Sequence, residues 1–139
     1  MEGRLWGGCI EVLEFMKSTV FWPDKDFWNN RILFFETSEE KPLPNQVGYM
    51  LRNYGIQGIL NKVKGIVFGR PKDYTDKEKD ELNKVILKIV KDEFDAPDIP
   101  IVMDMDFGHT DPKVILPLGC TMSLNPKTIE CILMERPFK

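Results

Sequence analysis

Residues 31–36 read Arg-Ile-Leu-Phe-Phe-Glu, an unbroken apolar run with a charge at each end. A run this short, without polar alternation, suits a strand buried on both faces. Its C-terminal end delivers Glu36 into a polar, proline-bearing stretch, Thr37 to Pro44, that reads as a loop. The same pattern returns at Lys64-Gly-Ile-Val-Phe-Gly69 and at Ile99-Pro-Ile-Val-Met103, where Pro100 marks an edge strand or a strand start. Helical spacing fills the intervals. Val47, Met50, Leu51 and Tyr54 recur at i, i+3, i+4 and i+7, with Gly55 expected to close the helix. Ile56 to Val63 reads as a second short helix. Thr75 or Asp76 caps the longest one, with Glu78 completing a capping box with Thr75. Its core face is Leu82, Val85, Ile86, Ile89, Val90 and Phe94. Upstream, Ile10, Leu13 and Phe15-Met16 place a short helix over Cys9 to Lys17, after a Gly7-Gly8 turn, and an aromatic-rich loop spans Phe21 to Asn30. Downstream, Val114 to Leu118, Cys120 to Leu124 and Thr128 to Met134 read as late strands joined by turns at Gly119 and Asn125-Pro126. Strands alternating with helices, then a run of strands, predict one α/β domain with a mixed sheet and flanking helices.

Composition agrees with a packed domain. The 139 residues are 42% hydrophobic and 29% charged, too apolar for a disordered segment. A chain of this length buries about 70% of its unfolded surface. With 19 Lys+Arg against 22 Asp+Glu, the net charge of −3 offers no electrostatic case for nucleic acid or an anionic membrane. No apolar run approaches the roughly 18 residues of a membrane helix, and the first residues do not form a signal peptide. Cys9, Cys120 and Cys131 are an odd count without a CxxC pair, so buried free thiols in a reducing, cytoplasmic compartment are expected.

Open α/β sheets do their chemistry at the carboxyl ends of strands. Three such ends stand out: Glu36, the Gly69-Arg70-Pro71 corner, and the loop Asp104 to Asp111. That loop holds His109, the only histidine, with Asp104, Asp106 and Asp111 nearby. Imidazole suits proton transfer near neutral pH, and a carboxylate such as Glu36 can fix its tautomer. A loop-packing histidine and a solvated strand end are the alternatives on pattern alone. Asp104, Asp106 and His109 also form a conceivable metal set, but one imidazole without a cysteine pair is a poor one, and no metal is expected. A nucleophile is missing. There is no G-x-S-x-G elbow; Ser18, Ser38 and Ser123 lack a strand–turn–helix setting, and the cysteines lie in apolar surroundings that raise a thiol pKa.

Five segments together resemble the C-terminal domain of the LD-carboxypeptidase serine peptidases, a family that includes the hydrolases conferring self-immunity to microcin C. They are GRLWGG (Gly3 to Gly8), ILFFETSEEKP (Ile32 to Pro42), GIVFGRP (Gly65 to Pro71), DFGHTDP (Asp106 to Pro112) and LPLG (Leu116 to Gly119). They occur in family order, and ETSEEKP with the tryptophan-bearing insert before it is closer to the microcin-immunity branch. The resemblance implies a swivelling β/β/α-type domain over residues 3–139. It implies a Ser–Glu–His triad in which Glu36 is the acid and His109 the base. The nucleophilic serine would belong to a flavodoxin-like N-terminal domain absent from this chain, which is therefore expected to start at a domain boundary and to be inactive alone.

The implied substrates are an L,D-linked muropeptide or a microcin-like peptide–nucleotide conjugate, cleaved at an amide near a free carboxylate. No cofactor is implied, and a homodimer is expected from the family habit. Arg70 could bind the carboxylate, or serve a structural salt bridge; Trp22 and Trp28 could line the pocket, or pack in the core. A non-catalytic binding or dimerisation module of the same fold is the competing reading.

Overall fold

The computed structural model describes residues 1–128 and 130–137. Strand β1 (Glu2–Cys9) runs directly into helix α1 (Ile10–Met16). Then come β2 (Arg31–Glu36), α2 (Pro44–Ile56), β3 (Gly65–Gly69), α3 (Asp76–Leu87) and β4 (Ile101–Met105), with β5 (Thr121–Asn125) and β6 (Glu130–Leu133) last. A π-helical segment, Lys88–Glu93, extends α3. The sheet order is β4-β3-β2-β1-β5-β6. β1 to β4 are parallel to their neighbours, while β5 pairs antiparallel with β1 and β6 antiparallel with β5. The class is α/β with a mixed sheet, as expected.

Burial on both faces explains why β2 is continuously apolar. Leu33 and Phe35 point into a core built with Val47, Leu51 and Tyr54 of α2 and Leu82 and Ile86 of α3. Ile32 and Phe34 point the other way, into a smaller cluster with Leu5, Val67, Phe107, Met122 and Leu124. The helices therefore pack on one face, and the opposite face is covered by β5 and by the loop after β4. Thr75 caps α3 as expected: its Oγ1 accepts from the Glu78 N–H, and the Glu78 carboxylate accepts from the Thr75 N–H at 2.7 Å. β4 is an edge strand that begins just after Pro100.

Several elements differ from the sequence expectation. GRLWGG is not a lead-in to a turn but most of β1, paired along β2 from Arg4↔Arg31 to Cys9↔Glu36. Gly7 serves close approach, since a Cβ there would stand 1.7 Å from the Phe34 carbonyl oxygen. Gly55 lies inside α2, where a Cβ would meet the Phe94 ring at 2.4 Å. Gly58, at φ +71°, closes the helix instead: its N–H donates to Gly55 O and that of Ile59 to Tyr54 O, the two bonds of a Schellman motif.

Ile56 ends α2, and Gln57 to Val63 is consequently a set of turns rather than a second helix, with Ile59, Leu60 and Val63 buried without helical spacing. Val114 to Leu118 forms no strand. Pro112 stands before it and Pro117 within it, and a proline cannot donate to a ladder, so this stretch is a largely exposed connection. The last strand is shorter than Thr128 to Met134: Thr128 lies in a turn, and Ile129 falls outside the described residues. The three free cysteines are half-buried, not buried. No helix among the described residues is long and apolar enough to cross a membrane.

Candidate active site

The parallel ladder brings the carboxyl ends of β2, β3 and β4 to one rim, and the loop after β4 folds back across it. Phe107 anchors that loop. Its side chain is 3% exposed and meets Phe34 edge-on at 5.9 Å, while its N–H donates to Met105 O. Arg70, at the end of β3, ties the loop down from the side. Its N–H donates to Met105 O at 2.8 Å, and Nη2 reaches Asp106 Oδ1 at 2.9 Å and the Asp111 carbonyl at 3.1 Å. Arg70 is thus engaged as a structural staple. Gly108 then makes the sharp turn, at φ +95°, against the Glu36 side chain.

This places His109 beside Glu36, with Nδ1 2.5 Å from Glu36 Oε2. The Glu36 side chain is only 13% exposed and the imidazole 38% exposed. A carboxylate oxygen accepts, so Nδ1–H donates to Glu36 and Nε2 is left as the other edge of the ring. That edge faces a second acid: Nε2 lies 3.0 Å from Oε2 of exposed Glu39. The second contact is favourable only while the ring is doubly protonated, because a bare Nε2 and a carboxylate both present lone pairs.

The loop that follows Glu36 and carries Glu39 is pinned from three sides. Glu11, in the first turn of α1, accepts from the Ser38 hydroxyl at 2.7 Å and from the Ser38 N–H at 3.2 Å. Lys41 pairs with Glu78 Oε1 at 3.0 Å, and the Tyr74 hydroxyl donates to the Pro42 carbonyl. Burial first, then the charges of Glu11 and Glu78, push the Tyr74 phenol up to about 12. Tyr74 therefore stays a hydroxyl donor at neutral pH. Glu11, Glu39 and Tyr74 had no mark in the sequence, since each matters only through a contact made in the fold.

The other candidates lie elsewhere. Trp22 packs on the helix-covered face, 5.5 Å from Trp6, 5.2 Å from Trp28 and 5.7 Å from Tyr54, with its indole N–H donating to Gln57. Within this chain it is part of an aromatic cluster and not a wall beside His109; Trp28 is core at 2% exposed. Asp104, Asp106 and His109 are not gathered as a metal set, because Asp106 is taken by Arg70 and His109 by the two glutamates. Burial, and next to it the charges of Glu11 and Glu36, push the Cys9 thiol up, and burial does the same to Cys131. Ser38 is committed to Glu11. Among the described residues, the hydrogen bonds of His109 go to carboxylates and none to a hydroxyl or thiol.

Comparison with known proteins bears on the family and the fold. Residues 2–124 match the family described as the LD-carboxypeptidase C-terminal domain. A protein of Treponema pallidum that carries the name carboxypeptidase is 40% identical over 135 residues, covering 97% of this chain and 37% of that protein. Among solved structures, an MccF-like protein from Streptococcus pneumoniae, in complex with AMP, superposes with a TM-score of 0.80 at 29% identity. That match covers 96% of this chain and 40% of the other. Muramoyltetrapeptide carboxypeptidase from Oxalobacter formigenes gives 0.73 at 31% identity, covering 94% and 44%. The chain spans about two fifths of the length of the curated relatives it matches.

Proposed function

This chain belongs to the LD-carboxypeptidase C-terminal domain family, and on that footing we propose that it supplies the base and the orienting acid of a Ser–Glu–His hydrolase. One observation carries the reading: a half-exposed imidazole held at 2.5 Å by a largely buried carboxylate, with its other nitrogen against the exposed Glu39. The nucleophilic serine and its oxyanion donors come from a domain that precedes this one in the complete protein.

In that assembly His109 takes the serine proton at Nε2 as the hydroxyl attacks the substrate carbonyl. It then returns the proton to the leaving amine, and the cycle repeats with water on the acyl-enzyme. Glu36 keeps the ring in the tautomer with Nδ1–H and stabilises the imidazolium that forms. Glu39 must swing aside for the serine to reach Nε2, which its exposure permits. The scissile bond is an amide near a free carboxylate, in an L,D-linked muropeptide or a peptide–nucleotide conjugate. The AMP complex of the Streptococcus pneumoniae relative keeps the second class in play.

The test compares this chain alone with the chain joined to its preceding domain, on both substrate classes. The joined protein is expected to turn over while the chain alone does not. His109→Ala and Glu36→Gln should each lower kcat by about a thousandfold or more. Turnover by the chain alone, or wild-type rates in either variant, would overturn the assignment, and no turnover by the joined wild-type protein would leave a binding module.

A further inference from the structure

We propose that the cleft beside His109 is an anion subsite, in which Lys72 and Lys79 receive the free oxyacid group of the substrate. The inference rests on the hydrolase reading and adds to it the residues that select the substrate. The cleft measures about 370 Å³, with Lys72, Tyr74 and Lys79 from the β3–α3 connection and the first turn of α3 lining it together with His109, Thr110 and Asp111.

The lysines differ from the others in the chain. Lys17, Lys41, Lys62, Lys72, Lys79 and Lys91 are the half-buried ones. Lys17 and Lys41 have glutamate partners, and Lys62 and Lys91 donate to backbone carbonyls. Among the described residues, the ammonium groups of Lys72 and Lys79 alone in this set have neither. Both therefore present a cationic head without a protein partner, and both line one cavity. Arg70 lines it too, but is occupied by Asp106 and the loop carbonyls. Two acids share the lining: Asp111, which pairs with Lys113 at 3.5 Å, and exposed Asp73.

The field of this cleft reaches the reactive edge of the imidazole. Glu39, 3.0 Å from Nε2, is held below the usual carboxylate range first by a hydrogen bond from its own backbone N–H, then by the charges of His109 and Lys72. A carboxylate is thus already accommodated against the imidazole, at the cleft that Lys72 and His109 line together. When Glu39 swings aside for the serine, the oxyacid group of the substrate takes over the attraction of the lysines. Ammonium groups bind carboxylate and phosphate alike as point charges, so the group is either a peptide C-terminus or a nucleotide phosphate.

The experiment uses the joined two-domain protein with three substrates: a peptide with a free C-terminal carboxylate, the same peptide as its C-terminal amide, and a peptide–nucleotide conjugate. Lys72→Ala and Lys79→Ala are each expected to raise KM for the free acid about tenfold, with kcat within about twofold and the amide unaffected. A rise confined to the conjugate supports the subsite with phosphate as its ligand. Unchanged KM for all three overturns it, whereas failure of the wild type to hydrolyse any of them removes the hydrolase reading instead. In that case the subsite is read directly, by titrating N-acetyl-D-alanine and inorganic phosphate against this chain and following the His109 ring protons by NMR. Shifts that vanish in Lys72→Ala support it, and their absence in the wild type overturns it.

Discussion

Residue 108 lies so close to Glu36 that a Cβ there would stand 2.6 Å from Oε2 and 2.8 Å from the Cβ of the acid, on a backbone at φ +95°. Both facts act on the same contact. A side chain at this position pushes the carboxylate off His109 while straining the turn that presents the imidazole. Gly108→Ala is therefore expected to lower kcat of the joined protein by about a hundredfold, because a misplacement near 1 Å is costly in a positioned site. Its cost to folding should be smaller, about 1–3 kcal/mol. Parallel kinetics and urea unfolding separate the two, and a wild-type kcat would show that the Gly108–Glu36 packing does not position the acid. His109 and Glu36 could be found in the sequence because each carries a local mark, a lone histidine between glycine and threonine and a carboxylate ending an apolar run. Glu11, Glu39, Lys72 and Lys79 carry none. They sit among many other charged residues, and only the fold distinguishes a partnered lysine from an orphaned one.

Among the elements, α3 is the one whose start was fully legible. Thr75 and Glu78 satisfy each other's backbone donors locally, so no tertiary contact can shift that boundary. Removing the cap with Thr75→Ala should cost about 1 kcal/mol in urea unfolding. The box is also a pH device. The Thr75 N–H and hydroxyl, followed by Lys41, push the Glu78 carboxyl down to about 2. In the unfolded chain the same group titrates near about 4.3. A depressed folded pKa means that the contribution is full above the unfolded value and is lost as pH falls toward about 2. The stability gap between wild type and Glu78→Gln should thus be present at neutral pH and shrink as the solution is acidified below about 4.3. A gap of constant size would show that the charge of Glu78 is not what the cap uses. Elements set by distant partners were harder to read. β1 contains a Gly-Gly pair that mimics a turn until Phe34 is seen against it, and Ile56 to Val63 has helical composition but is cut off by Gly58.

At the scale of the whole molecule, strand order and curl were beyond the sequence, because both depend on which distant surfaces meet. A Cβ on Gly65 of β3 would lie 2.5 Å from Leu124 Cδ1 of β5, although β2 and β1 stand between those strands. Three strand spacings in a flat sheet amount to about 14 Å, farther than a leucine side chain extends. The sheet must therefore curl, bringing β5 over the face that the helices leave open. Leu124, 1% exposed, closes that layer together with Met122, Phe34 and Phe107, the residue that anchors the His109 loop. The small cluster is thus both the second core of the fold and the floor of the site. Leu124→Ala should remove about 2–5 kcal/mol of stability, toward the upper end if the curled layer cannot collapse into the space. Urea unfolding measures the loss, and the His109 ring signals report whether the loop above it loosens well below the unfolding midpoint. A loss under about 1 kcal/mol would mean that β5 rests on the sheet without sealing it, since a buried leucine truncated in a closed core costs more than that.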